Sequence, residues 1–202
     1  MFKYLPIFIL LLFYNYNFAQ DCPSHINTLP MYGNAKKCEA QIESDNQFIA
    51  QMDSLFENRT LAAQDRINSG WEYYNNKDYP TAIKRFNQAW LLKEDMYEIY
   101  WGYANIYAIN GKFLEAFDFF KTAVEYHPNN ANFYYSYALA HSQFYLQNKK
   151  KSSLQDAIQH LEKAIEIDDQ NSNVYSLIAN IYKELGDYNK MNKYLDKVKY
   201  NK

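Results

Sequence analysis

A small–large–small trio of residues recurs down this chain at nearly constant spacing. Ala82, Phe86 and Ala89 return 34 residues later as Ala116, Phe120 and Ala123. They return after a further 41 as Ala157, Leu161 and Ala164, and after 34 more, in weaker form, as Met191, Leu195 and Val198. A period in this range points to stacked units, none able to bury its apolar face alone, rather than one closed core. Within each trio the positions i, i+4 and i+7 share one face of an α-helix. The small ends let a neighbouring helix approach, and the bulky centre fills the gap.

A second helical face lies upstream of each trio. It reads Tyr100, Tyr103, Ala104, Tyr107 in the second unit, Tyr134, Tyr137, Ala138, His141 in the third, and Tyr175, Ile178, Ala179, Tyr182 in the fourth. Asn110-Gly111-Lys112 and Leu185-Gly186-Asp187 are turns between paired helices, and His127-Pro128 closes one unit before the next. These units resemble tetratricopeptide repeats. The favoured residues of that family stand at Gly70, Tyr73, Tyr79, Ala82, Phe86 and Ala89, and again at Tyr100, Ala104, Tyr107, Ala116, Phe120, Ala123 and Pro128. The resemblance implies an all-α fold, a right-handed α-solenoid of four helix pairs over 63–96, 97–130, 131–171 and 172–202. Arg66 and Ser69 replace large apolar residues in the first unit, so its leading helix is expected to pack differently. The seven extra residues of the third unit match two helical turns and would lengthen its first helix. The run Asn148-Lys149-Lys150-Lys151-Ser152-Ser153 argues instead for a solvated loop, with Ser153 capping the next helix and Asp156 three positions on. The loop is the preferred reading.

Ahead of the array, Lys3 and the apolar run from Tyr4 to Tyr14 read as a secretory signal peptide over 1–19, cut before Gln20. The run is short for an uncleaved membrane anchor, and Asp21 before Cys22 departs from what a lipid-anchor signal resembles. Residues 20–39 form an irregular arm. Cys22 and Cys38 lie 16 apart there, and in an oxidising compartment a disulfide is preferred over two free thiols. The segment 40–62 holds a leading helix and its connection, with Phe48, Ile49, Met52, Leu55 and Phe56 on one face. A solenoid end needs a cover, so this helix is read as a cap rather than a dimerisation element. Asn189, Lys190, Asn192, Lys193, Lys197 and Lys199 make one side of the last helix polar, so the array can end there.

Leu29-Pro30-Met31-Tyr32-Gly33, Arg85 to Leu92 and Tyr100-Trp101-Gly102 resemble small exported bacterial repeat proteins, a resemblance that carries no activity with it. The family resemblance also implies a concave groove lined by the first helix of each pair. Residues beside the packing stripe then face a ligand: Trp71, Tyr74 and Asn75; Trp101, Asn105 and Ile109; Tyr135, Leu139 and Ser142; Asn180 and Lys183. Aromatic rings and asparagine amides suit a protein or peptide segment laid across the array. The strongest candidates are Trp71, Tyr74, Trp101, Asn105, Tyr135 and Asn180. The family's clamp for a terminal carboxylate needs lysine where this chain has Ile67, Trp101, Tyr135 and Ser176, which argues against a chaperone-tail ligand.

The net charge of −2 becomes −3 once Lys3 is removed, so no basic face speaks for nucleic acid. His25, His127, His141 and His160 form no metal motif, and no nucleophile–base pair or phosphate loop is present. No catalysis, metal or cofactor is expected. The leading expectation is an exported, most simply periplasmic, adaptor for a protein or peptide, with no membrane span after cleavage. The alternative is a cell-envelope component docking through its convex face or through Lys149–Lys151.

Overall fold

The computed structural model describes residues 22–200; the leader read over 1–19 and its cleavage point lie outside the described residues. Nine α-helices follow one another among the described residues. They are α1 (Glu39–Leu55), α2 (Arg59–Asn75), α3 (Tyr79–Leu92), α4 (Tyr97–Ile109), α5 (Phe113–Glu125), α6 (Ala131–Asn148), α7 (Lys151–Ile167), α8 (Ser172–Leu185) and α9 (Tyr188–Tyr200). From α2 onward they pack as antiparallel pairs: α2 with α3, α4 with α5, α6 with α7, α8 with α9. The first helices also touch in order, α2 to α4 to α6 to α8, whereas the second helices make no comparable contact with one another. An array whose first helices meet and whose second helices do not curves with the first helices on its inner side. The fold is an all-α solenoid.

The trios explain the pairing. Phe86, Phe120 and Leu161 are fully buried, as are the six alanines flanking them. Phe86 sits between two glycines: a Cβ on Gly70 would stand 2.6 Å from its ring, and one on Gly102 would stand 2.4 Å away. The missing side chains let α2 and α4 close on the same ring. In the fourth unit Leu195 remains 39% exposed, since no further pair among the described residues packs on it.

Asparagine and aspartate set several starts. Asn58 accepts from the Leu61 amide at 3.0 Å, Asp78 from that of Thr81, and Asn171 from that of Asn173. Because Asn58 caps α2, the first helix of the array begins at Arg59 rather than at residue 63. Arg66 is satisfied locally by an ion pair with Asp65, while Ala62, Ala63, Ile67 and Gly70 supply the buried face.

The loop expected at 148–153 is not there. Both α6 and α7 are lengthened, and only Lys149 and Lys150 join them. Lys149 takes the left-handed conformation (φ 57°) that ends α6, and its ammonium lies 5.5 Å from the Tyr145 ring centre. Ser153 is not a cap: it lies buried in the first turn of α7, where the Asn148 amide donates to its hydroxyl at 3.3 Å. Two added turns keep each helix face in phase, so extension costs no packing.

The arm is built, not loose. Cys22 and Cys38 are joined by a disulfide with their Cα atoms 5.2 Å apart. Between them, Met31, Tyr32, Gly33 and Asn34 all have positive φ, a left-handed turn that three side chains adopt against their preference. Asn87 on α3 holds it. Its Oδ1 accepts from the Met31 amide at 2.8 Å, and its Nδ2 donates to the carbonyls of Asn27 and Leu29 at 3.1 and 2.9 Å. Helix α1 packs on α2 and α3 through buried Met52 with Phe48, Ile49 and Phe56, while Leu55 stays 65% exposed.

Candidate binding groove

The inner side of the array carries a run of touching rings. Trp71 on α2 meets Trp101 on α4 edge-on at 4.7 Å, and also meets Tyr74 at 5.3 Å. Trp101 stacks with Tyr97 at 6.4 Å and reaches Phe133 on α6 at 6.0 Å. These contacts cross from helix to helix because each first helix presents a bulky residue one step from its packing stripe. Trp71, Tyr74, Trp101, Asn105 and Tyr135 are all partly buried, and Asn180 is exposed. Burial pushes the Tyr74 and Tyr135 hydroxyls above the usual phenol range, so both stay neutral hydrogen-bonding groups at physiological pH.

Three polar groups on this side lack partners. The indole Nε1 of Trp101 is buried and unpaired, and the amides of Asn105 and Asn180 make no hydrogen bond to another described residue. An unpaired buried donor is costly unless something supplies an acceptor. Glu98, one turn before Trp101, is a half-buried carboxylate raised in pKa by desolvation, with no ion-pair partner among the described residues. Its position three residues ahead of Trp101 was the available sign of it.

Further along, α6 and α8 enclose a slot of about 190 Å³. Leu139, Leu146, Leu177 and Ile181 line it, Leu154 from α7 adds to the wall, and Asn180 and Glu184 lie at its polar edge. Spacing pointed to Leu139 and Asn180; Leu146 escaped it because it belongs to an added turn, and Leu154, at the repeat position of Tyr79 and Phe113, because that position belongs to a second helix. Of the four clamp positions, Ile67 is buried in the core and the others hold Trp101, Tyr135 and Ser176, so no lysine reaches the groove there.

Two of the histidines meet in the core of the third pair. His160 stacks on Tyr137 at 3.8 Å, and His141 stacks on Phe117 at 4.2 Å. His141 Nδ1 is 3.8 Å from Asp156, beyond hydrogen-bonding reach, and His160 Nδ1 is buried without a partner. Among the described residues no three His, Cys, Asp or Glu side chains are placed to hold a metal, and no helix is long and apolar enough to cross a membrane.

The tetratricopeptide-repeat family pattern matches residues 97–130 and again 160–191. No curated protein sequence matches the chain. Among solved structures it is similar to MamA from residue 41 onward of Desulfovibrio magneticus RS-1, with a TM-score of 0.57 and 16% identity over 69% of this chain and 75% of that one. A second MamA structure covers 83% of this chain and 95% of its own, with a TM-score of 0.58 and 16% identity. A thermophilic TPR protein of Thermus thermophilus matches with a TM-score of 0.58 and 21% identity over 67% and 72% of the two chains. At these identities the likeness concerns fold. Arrays of such repeats are protein-interaction scaffolds. Matched twice by sequence and along most of its length by architecture, the chain carries tetratricopeptide repeats at 97–130 and 160–191 within an all-α solenoid.

Proposed function

We propose that this protein is an exported adaptor that holds a protein or peptide segment along the groove of its first helices. The observation that carries the reading is the ring run from Tyr74 through Trp71 to Trp101, whose indole N–H is unpaired, with the unbonded amide of Asn105 one turn further along the same helix. Rings supply contact area at low entropy cost, and the amide pairs with a peptide backbone in either polarity. The Cys22–Cys38 bond supports export, since such bonds persist in oxidising compartments. Docking through Lys149–Lys151 is less well supported, because those lysines form a tight helix junction rather than a projecting loop.

The test places a photo-crosslinking amino acid at Asn105 or Asn180 in the groove, and at Leu114 on α5, which is 65% exposed and off the groove. The groove positions should trap a shared partner that Leu114 does not. Equal trapping from all three positions, or from Leu114 alone, removes the groove as the site.

A further inference from the structure

A sizeable cavity lies away from the groove. It lies between the disulfide-tied arm, α1 and α3, and encloses about 680 Å³, a volume within the ~300–1,000 Å³ range of small-molecule sites. Helix α3 contributes Thr81, Lys84, Arg85, Gln88 and Leu91, one stripe of a single face. Helix α1 brings Asp45 and Phe48 opposite, and the arm adds Ile26, Tyr32 and Lys37.

The charges in this wall are unequal in their partners. Lys37 and Asp45 neutralise each other in an ion pair, with the Lys37 ammonium also 3.2 Å from the Tyr32 ring centre. Arg85 has a ring neighbour, its guanidinium carbon lying 5.6 Å from the Tyr73 ring centre, but no carboxylate partner among the described residues. Its Nη1 donates to the uncharged amide oxygen of Gln88 at 2.9 Å, and its Nε is buried without any acceptor. Neither Arg85 nor Lys84 has a carboxylate within ion-pair distance among the described residues. Two cations without a direct ion pair, of which Lys84 feels the more distant Asp78, therefore share one cavity with the apolar side chains Phe48, Leu91 and Ile26.

We propose that this cavity is a second binding site, for a carboxylate carried on an apolar body. The guanidinium of Arg85 receives the carboxylate through its fork of donors, with Lys84 adding charge. Phe48 and Leu91 cover the apolar part. The free carboxylate of a small molecule and the C-terminal carboxylate of a peptide share this chemistry. The site uses α3 and the arm rather than the groove floor, so it stands independently of the adaptor reading.

Calorimetric titration of the mature chain with 1-naphthaleneacetate, its neutral analogue 1-naphthaleneacetamide, and a free-acid peptide ending in phenylalanine tests this. The acid should bind at least about tenfold more tightly than the amide. Arg85→Gln should abolish that preference and Arg85→Lys should keep part of it, while Trp101→Phe leaves it unchanged. Thermal melts establish that each variant is folded. Tighter binding of the small acid than of the peptide assigns the site to a free metabolite, and the reverse assigns it to a chain terminus. Failure of both carboxylates to bind, equal binding of acid and amide, or indifference to Arg85→Gln would overturn the proposal.

Discussion

The Tyr103 hydroxyl donates a 2.6 Å hydrogen bond to Oδ1 of Asn87, an amide with no exposure to solvent. The same oxygen accepts from the Met31 amide, and the amide nitrogen serves two arm carbonyls. One side chain thus joins the arm, α3 and α4, with all its hydrogen-bonding capacity used.

Asn87→Ala removes these bonds and strands a buried hydroxyl and a backbone amide. The expected loss is about 3 kcal/mol in urea unfolding. Hydrogen exchange should rise first at residues 27–34, where the left-handed turn loses its anchor. Unchanged protection there would contradict the role given to Asn87.

Gly102→Ala places a methyl 2.4 Å from the Phe86 ring, with α2 closing the other side. Overpacking of this kind costs about 1–3 kcal/mol. Adding Phe86→Leu should recover part of the loss, so the double variant is more stable than the sum of the two single changes predicts.

Acid should weaken the third helix pair. Burial, His141 and Lys163 bring His160 down to about 3, and burial also lowers His141, against a smaller opposite pull from Asp156. Both groups are neutral in the fold and bind protons more readily when unfolded. Their contribution is therefore complete above the ordinary histidine pKa of about 6.5 and is lost as pH falls from there toward 3. The slope per histidine reaches at most about 1.4 kcal/mol per pH unit. His160→Phe should flatten the pH dependence of the melting temperature between pH 6.5 and 4, and an unaltered slope would count against this assignment.

Replacing Cys22 and Cys38 with serine should act locally. The bond closes a 16-residue separation, for which the chain-entropy account gives about 3 kcal/mol. Proteolysis should then cut within residues 22–38 while the array from Arg59 onward stays resistant. A loss of resistance throughout the array would show that the arm is part of the cooperative unit.

Trp101 separates packing from recognition. Trp101→Ala removes a ring that touches Trp71, Tyr97 and Phe133, and should cost about 3–5 kcal/mol. Trp101→Phe keeps a ring but deletes the unpaired donor, so its effect on a trapped groove partner reports on recognition. Partner affinity that does not change in Trp101→Phe would exclude the indole N–H from recognition.

The solenoid was legible because burial of Phe86, Phe120 and Leu161 imposes the same small neighbours in each pair, and a period is visible without coordinates. Lys149 to Ser153 misled because a run of lysines reads as solvated chain. A helix end and a helix start are also solvated, and two whole turns slip into α6 and α7 without disturbing phase. The arm was not legible at all beyond its cysteines. Asn87 acts on residues some sixty positions away, through backbone groups that any sequence would supply. Positions beside the packing stripe can be read from the 100° step of a helix, whereas the α6–α8 slot also needs Leu146, which stands in an added turn outside the repeat pattern.

Those added turns break the translational sameness of the array. A uniform trough would let an extended guest slide by one unit and meet equivalent surroundings. Here the third pair meets the fourth in a deeper notch, walled by Leu146 of an added turn together with Leu154, and closed by Leu177 and Ile181 from the neighbouring pair. A guest with a single bulky apolar anchor would seat it in that notch, which would favour one register on the scaffold.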